Sequence, residues 1–262
     1  MSDVRYQFND LSAAQVVSTR KHKLHRVRLF APAVCRVEQG SKIIVQGARQ
    51  MSATTAELIV LPADIDMEVI NQPAGGRFCS RMLSLSADIL ALFRERYVLS
   101  PVTAKMTSWC VPADRDLLLM WHNALRSVET DSSPEMRVHQ VHGLLLALYQ
   151  AGYGWPLLRE RHASLTDNVR QVVMLAPAEN WSVKKVAGQL HMGESTLRRR
   201  LQQESSSFRT LVEEVRMAYA LTRLQTTALP IGEIAHQCGY LSPSRFTARF
   251  QQHYGLLPRH VR

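Results

Sequence analysis

The sequence predicts an α+β chain: a small β-barrel with attached helices, then an all-α domain. Three observations carry this. Short β-like runs, punctuated by glycine and proline, occupy the region before residue 84. Helical periodicity replaces them from Ala87 onward. One helix-turn-helix pattern then occurs twice, as VKKVAGQLHMGESTLRRRL from Val183 to Leu201 and as IGEIAHQCGYLSPSRFTARF from Ile231 to Phe250. A length of 262 residues suits two domains. They are placed at 1–152 and 164–262, with a linker at 153–163.

Residues 1–28 are polar and increasingly basic, ending in RKHKLHRVR from Arg20 to Arg28. Strand-like runs follow at Val34 to Glu38, Lys42 to Gly47, Glu57 to Pro62, Asp66 to Ile70 and Arg77 to Leu83. Gly40, Gly47, Pro62 and the cluster from Pro73 to Gly76 separate them. Short strands at this spacing predict a small barrel or sandwich. Helices then follow. Ile89, Leu90, Phe93 and Tyr97 share one side of Ala87 to Tyr97. Leu117, Leu118, Trp121 and Leu125 share one side of Asp114 to Val128. Val138, Val141, Leu144, Leu145 and Leu148 line Pro134 to Ala151. That leucine-rich face reads as core, or as core that also forms a dimer interface.

GYGWP, from Gly152 to Pro156, breaks the helices and opens the linker. Beyond it the chain reads as all-helical. Thr166 or Asp167 caps a helix running to about Ala176, and Ser182 caps the next. In each helix-turn-helix a short first helix braces a second. The contact wants a small residue and the turn a permissive backbone. Ala187 and Ala235 are the small residues. Gly239 is in the second turn. His191 holds that place in the first, where histidine tolerates the left-handed region better than most.

Leu197 and Leu201 face inward one turn apart, supported by Val183, Val186 and Leu190. This leaves Ser195, Arg198, Arg199 and Gln202 as an outward stripe, with Thr196 beside it and Arg200 nearer the packed side. Phe246 and Phe250 repeat the inward pair, supported by Ile231, Ile234 and Cys238. Ser244, Arg245 and Ala248 then face outward, flanked by Pro243 and Arg249. Arginine binds guanine bidentately in a major groove, while some arginines hold phosphates and carry register without sequence information. Against a bare run of solvated charge, the doubled motif favours DNA contact for Arg198 and Arg199. A helix from Ser207 to Thr226 joins the units. Ala187 and Ala235 lie 48 residues apart, and the two readers suit grooves roughly 34 Å apart on one DNA face.

The totals agree. The net charge of +10 favours a polyanionic partner, and residues 165–262 hold 13 Lys+Arg against 7 Asp+Glu. Cys35, Cys79, Cys110 and Cys238 are scattered without a CxxC, so neither a disulfide framework nor a zinc site is expected. No histidine falls between His25 and His122, which excludes a cupin metalloenzyme's ligand set. No signal peptide or membrane span is read, and the expected location is cytoplasmic. No catalytic residue, metal or cofactor is assigned, and the chain is not expected to be an enzyme.

These residues resemble the AraC/XylS family of bacterial transcription regulators. The matching elements are WSVKKVA (Trp181 to Ala187), STLRR (Ser195 to Arg199) and RMAYA (Arg216 to Ala220). In the second unit they are IAHQCGY (Ile234 to Tyr240), SRF (Ser244 to Phe246), Phe250 and YGLLP (Tyr254 to Pro258). Gly193 stands where a capping serine is usual and Val261 where an aromatic is usual. The resemblance puts the family's base-reading positions on Ser195, Arg198, Arg199, Pro243, Ser244 and Arg245, with Ala248 where a polar reader often sits. It implies an activator that binds double-stranded DNA and contacts RNA polymerase. It further implies a cupin-like barrel and dimerisation helices in the first half. The run from Phe78 to Leu90 looks most like members controlling virulence or stress genes.

Some members bind a fatty acid or another small effector. Arg20, Lys23, His25 and Lys42 are the candidate residues for a carboxylate effector here. The basic cluster around His22 and His25 reads first as a solvated segment, and otherwise as a regulatory arm, a carboxylate-binding wall or a nonspecific DNA contact. The alternative is an effector-independent regulator whose first half is only an interaction module. A DNA-repair alkyltransferase shares such a DNA-binding half, but it needs a zinc-held reactive cysteine cluster. The spacing of Cys35, Cys79 and Cys110 does not supply one.

Overall fold

The structure, a computed structural model, describes residues 11–97, 108–130, 132–158 and 164–261. The chain divides into two compact units, residues 1–159 and 160–262.

The first unit contains strands β1 (Ser12–Ser18), β2 (His22–Val27), β3 (Ala33–Gln39), β4 (Ser41–Gln46), β5 (Arg49–Ala53), β6 (Glu57–Leu61), β7 (Met67–Gln72), β8 (Phe78–Ser84) and β9 (Cys110–Pro112). They form two antiparallel sheets, in the orders β1-β8-β3-β6-β9 and β2-β7-β4-β5. Each of the first four strands in one sheet has a chain neighbour at the same place in the other. The same order therefore runs through both sheets, which is a jelly-roll arrangement. Inward and outward residues alternate where one face is solvated: in β4, Lys42 and Ile44 are buried and their neighbours are not. In β6 the run Leu58 to Leu61 is buried throughout. Helices cover its outer face, so both faces want apolar side chains.

Five of these strands match the strand-like runs of the sequence; β1, β2, β5 and β9 do not. The basic segment from Arg20 to Arg28 is therefore no free arm, because β2 pairs with β7 as the edge strand of the second sheet. Its alternation is masked by a bulge between Leu24 and Val27, where Arg26 takes φ 52°. The extra residue shifts the period of two, so Val27 returns to the interior out of phase. β5 is mostly exposed and β9 has three residues, too little for periodicity to show.

Helices α1 (Ala87–Arg96), α2 (Arg115–Glu129) and α3 (Pro134–Gln150) start where Ser86, Asp114 and Ser133 accept a backbone N–H in the first turn. Trp121, Phe93, Val141, Leu144 and Leu145 are fully buried and pack with Leu58 and Val60 of β6. The leucine-rich face is thus core, while Leu119 and Met136 remain exposed. Trp155–Leu158 forms a short helix, α4, that buries Leu157 and Leu158 in this unit. That part of the expected linker is packed structure; residues 159–163 lie outside the described residues.

The second unit is helical: α5 (Leu165–Met174), α6 (Val183–Gln189), α7 (Glu194–Gln203), α8 (Phe208–Thr226), α9 (Ile231–Gln237) and α10 (Pro243–Tyr254), then a 3-10 turn at Pro258–His260. The cap of α5 is Ser164, not Thr166 or Asp167. Asp167 instead completes a reciprocal capping box with it. The carboxylate of Glu204, at the end of α7, accepts the N–H groups of Leu165 (3.0 Å) and Thr166 (2.9 Å). Glu204→Ala would orphan both donors and is expected to cost about 1–2 kcal/mol. Chemical denaturation of the full chain checks this, and an unchanged midpoint contradicts it.

Candidate nucleic-acid interface

Both turns form as their residues require. His191 takes φ 52° and Gly239 φ 78°. Met192 N–H bonds back to Ala187 O, and Tyr240 N–H to Ala235 O, both at 2.9 Å. Ala187 and Ala235 are buried at these crossings. Leu197 and Leu201 of α7 are fully buried, and so are Phe246 and Phe250 of α10.

The remaining faces are where the periodicity put them. Ser195, Arg198, Arg199 and Gln202 are exposed on α7, and Thr196 is half-buried beside them. Arg200, expected nearer the packed side, is exposed as well. Gly193 starts α7 with no side-chain cap, so its N-terminal N–H groups stay open. On α10, Pro243, Ser244, Arg245 and Ala248 are exposed. Ser242 caps this helix through the Arg245 N–H at 3.4 Å. Arg249 is drawn aside: its Nη1 donates to Gln252 Oε1 at 2.9 Å and lies 4.0 Å from Glu213. Each half thus presents a helix whose inner pair is locked and whose outer stripe is polar or small. The first stripe is the richer in arginine.

Between α8 and α10 lies an open groove of about 680 Å³, walled by Trp181, Tyr240, Arg209, Arg216 and Arg245 among others. Periodicity could not have found it, because its walls come from separate elements.

Residues 186–262 match the helix-turn-helix domain family. The C-terminal unit thus carries a helix-turn-helix domain. The chain is 32% identical over 135 residues to the HTH-type transcriptional regulator YdeO of Escherichia coli K12, across 50% of this chain and 53% of that protein. It is 35% identical over 101 residues to the transcriptional regulator SirC of Salmonella typhimurium, across 38% of this chain and 34% of that protein. The chain thus spans about half the length, or less, of the curated relatives it matches. Its fold is similar to that of ToxT from Vibrio cholerae, in a crystal structure with unsaturated fatty acid bound. The TM-score is 0.70 over 98% of this chain and 97% of that one, at 14% identity. At that identity the likeness is one of fold. It agrees with a cupin-like barrel before an all-α domain.

The four residues considered for a carboxylate effector are not brought together. Arg20 is exposed in the β1–β2 turn. Lys23 and His25 point outward from β2 and both pair with Glu68, at 2.6 and 2.8 Å. Only Lys42 points into the barrel, 5.1 Å from the centre of the Phe78 ring. Strand alternation accounts for the split.

Lys42 instead ends a buried polar row that the sequence did not reveal. Ser18 Oγ donates to Arg20 O at 2.5 Å. With that hydrogen spent, Ser18 Oγ accepts from His22 Nδ1 at 3.1 Å. His22 Nε2 is then an acceptor and takes a hydrogen from Asn71 Nδ2 at 3.1 Å. Asn71 Oδ1 accepts from Lys42 Nζ at 2.8 Å. The ends impose this direction, because a carbonyl only accepts and an ammonium only donates. A proton added at His22 Nε2 would meet the Asn71 amide hydrogens. Turning the amide over would aim those hydrogens at Lys42. The row therefore accommodates one positive charge.

Burial, and next the charge of Lys42, hold His22 below its ordinary pKa of 6.5. Burial likewise lowers Lys42, against the pull of the facing Cys35. A depressed histidine pKa means that the unfolded chain takes up a proton the folded chain resists. This contribution is intact above about pH 6.5 and is lost as pH falls below it. The melting temperature of the full chain should therefore fall from about pH 7 to about pH 5.5. Burial lowers His142 in the same direction, so the decisive comparison is His22→Gln, whose melting curve should shift less. Glu68 is lowered by hydrogen bonds from Lys23 and then His25, and it acts only at more acid pH. Equal pH dependence in wild type and variant would contradict the buried neutral His22.

Proposed function

We propose that this chain is a sequence-specific, DNA-binding transcription regulator that inserts α7 and α10 into two successive major-groove faces. The carrying observation is the pair of exposed stripes, each on a helix whose buried leucines or phenylalanines fix its rotation. Arg198 and Arg199 read bases on the first helix, with Ser195, Thr196 and Gln202 alongside. Pro243, Ser244 and Arg245 do so on the second. Arg249, already engaged by Gln252, serves a phosphate. Arginine dominates the first reader. The second, with Ala248 at its centre, relies more on apolar contact and DNA shape.

The regulator acts as an activator in contact with RNA polymerase, in the cytoplasm and without catalysis. The relatives' names as transcription regulators support the regulatory reading, and the run from Phe78 to Leu90 supports a virulence or stress setting by its resemblance to such members. The cupin-like unit supplies control by dimerising, by binding a small carboxylate, or both. The bound fatty acid of ToxT supports a carboxylate effector, for which Lys42 is the buried cation. One observation favours the effector-independent alternative: Lys42 is already satisfied by Asn71, among the buried side chains of Leu24, Ile44 and Phe78.

Competition binding by the full chain tests the proposal. A duplex enriched from random DNA should bind at least about 1,000-fold more tightly than a scrambled one at physiological salt. A ratio near unity would overturn it. Repeating the measurement with oleate tests the effector. Altered DNA affinity in wild type but not in Lys42→Met supports it, and no change in either supports the interaction module.

A further inference from the structure

The two helix-turn-helix units are linked through α8, which packs against α5 on one side and α9 on the other. A single side chain of α8 joins them more directly. Arg216 Nε donates to Pro177 O and Nη2 to Glu179 O, both at 3.0 Å. These carbonyls belong to the loop that leads into the first unit. The same guanidinium lies against the turn of the second unit. A Cβ built on Gly239 would fall 2.7 Å from Arg216 Nη2, 2.9 Å from its Cζ and 3.0 Å from Ala178 O. The Tyr240 ring centre is 5.9 Å from Arg216 Cζ. The entry loop of one reader and the turn of the other therefore meet across one planar cation. Glycine is required at 239 twice over, for its φ of 78° and for this close approach.

We propose that Arg216 is a positioning residue that fixes the separation and rotational phase of the two readers, and so sets the spacing that the protein demands between its two contact sites on DNA. This rests on the DNA-binding reading above. The guanidinium is suited to the task because its donors lie in one plane at fixed angles. It grips two carbonyls of one loop while its Cζ and Nη2 lie against the glycine turn. An alkyl chain of similar length would fill the space and hold neither carbonyl. A lysine would reach one carbonyl and lose the plane. Freed of this joint, the units would still be held by α8 but would pivot about its contacts with α5 and α9. Each reader would keep its own base contacts and lose its fixed offset from the other.

The test uses the full chain and duplexes enriched from random DNA by the wild type. These are remade with the stretch between the two contacted segments lengthened or shortened by one and by two base pairs. Wild type should lose affinity steeply at each change, by roughly 10-fold per step, since one reader is then out of register. Arg216→Gln should bind the original duplex more weakly and show a flattened profile, within roughly 3-fold across the spacers. Arg216→Lys should fall between the two. A variant profile parallel to that of wild type, merely displaced to weaker binding, would show a role in stability alone and overturn the proposal. So would unchanged binding in both variants. If Arg216→Gln does not fold, a wild-type-shaped profile in Arg216→Lys counts against the proposal in the same way. Failure of the underlying DNA-binding reading is separate, since wild type would then enrich no duplex.

Discussion

Phe246→Ala is expected to unfold the second helix-turn-helix unit under conditions where the wild type is folded. Phe246 is fully buried and lies at the centre of a continuous aromatic row. Its ring centroid is 5.6 Å from Tyr240 and 5.7 Å from Phe250, and Phe250 is 4.7 Å from Tyr254. Truncation removes the apolar area, leaves a cavity and breaks the row at its middle. Buried phenylalanine-to-alanine changes cost about 3–5 kcal/mol, comparable to the whole stability of a small domain. Neighbouring groups already depend on this core. Burial pushes both Cys238 and Tyr240 up to about 12, so neither carries charge near neutrality. Denaturant unfolding followed by helical circular dichroism measures the loss, because the second unit is all helix. A change below about 1 kcal/mol would contradict this packing account.

Arg198→Ala has the next largest expected effect, on binding rather than stability. The side chain is exposed on α7, and its removal leaves Leu197 and Leu201 in place. The fold should be unchanged, while affinity for the preferred duplex should fall by about 1–3 kcal/mol, roughly 5- to 150-fold. Preference at one or two base pairs should relax with it. A phosphate-holding arginine behaves differently: its loss weakens all sequences alike and shallows the salt dependence by about one counterion. Binding measured against single-base variants at two salt concentrations separates the cases. An unchanged footprint and affinity would defeat the assignment of Arg198.

The second unit was legible in the sequence because its constraints are local. Inward pairs one turn apart, a small residue at each crossing and a permissive turn residue all lie within twenty residues of each other. Ser182 is read as a cap, and the structure places it there. The jelly roll was less legible because its order depends on pairing between distant segments. β1 joins β8, and β2 joins β7, across forty residues or more. The bulge at Arg26 hid β2 behind an irregular period, and a run of cations suggested an arm. The polar row from Ser18 to Lys42 and the joint at Arg216 were invisible for a related reason. Each is assembled from several elements, and no spacing along the chain encodes it. Lys42 and His22 both stand out in the sequence, but nothing in it joins them through Asn71, and Lys23 and His25 face the other way.

The central claim is that two readers engage one face of DNA together. Hydroxyl-radical footprinting of the full chain on a duplex enriched from random DNA tests it most directly. The account predicts two protected patches on the same face, about one helical turn apart. Arg198→Ala should weaken the patch read by α7, and Arg245→Ala the patch read by α10. A single patch insensitive to either substitution, or no protection at all, would contradict it.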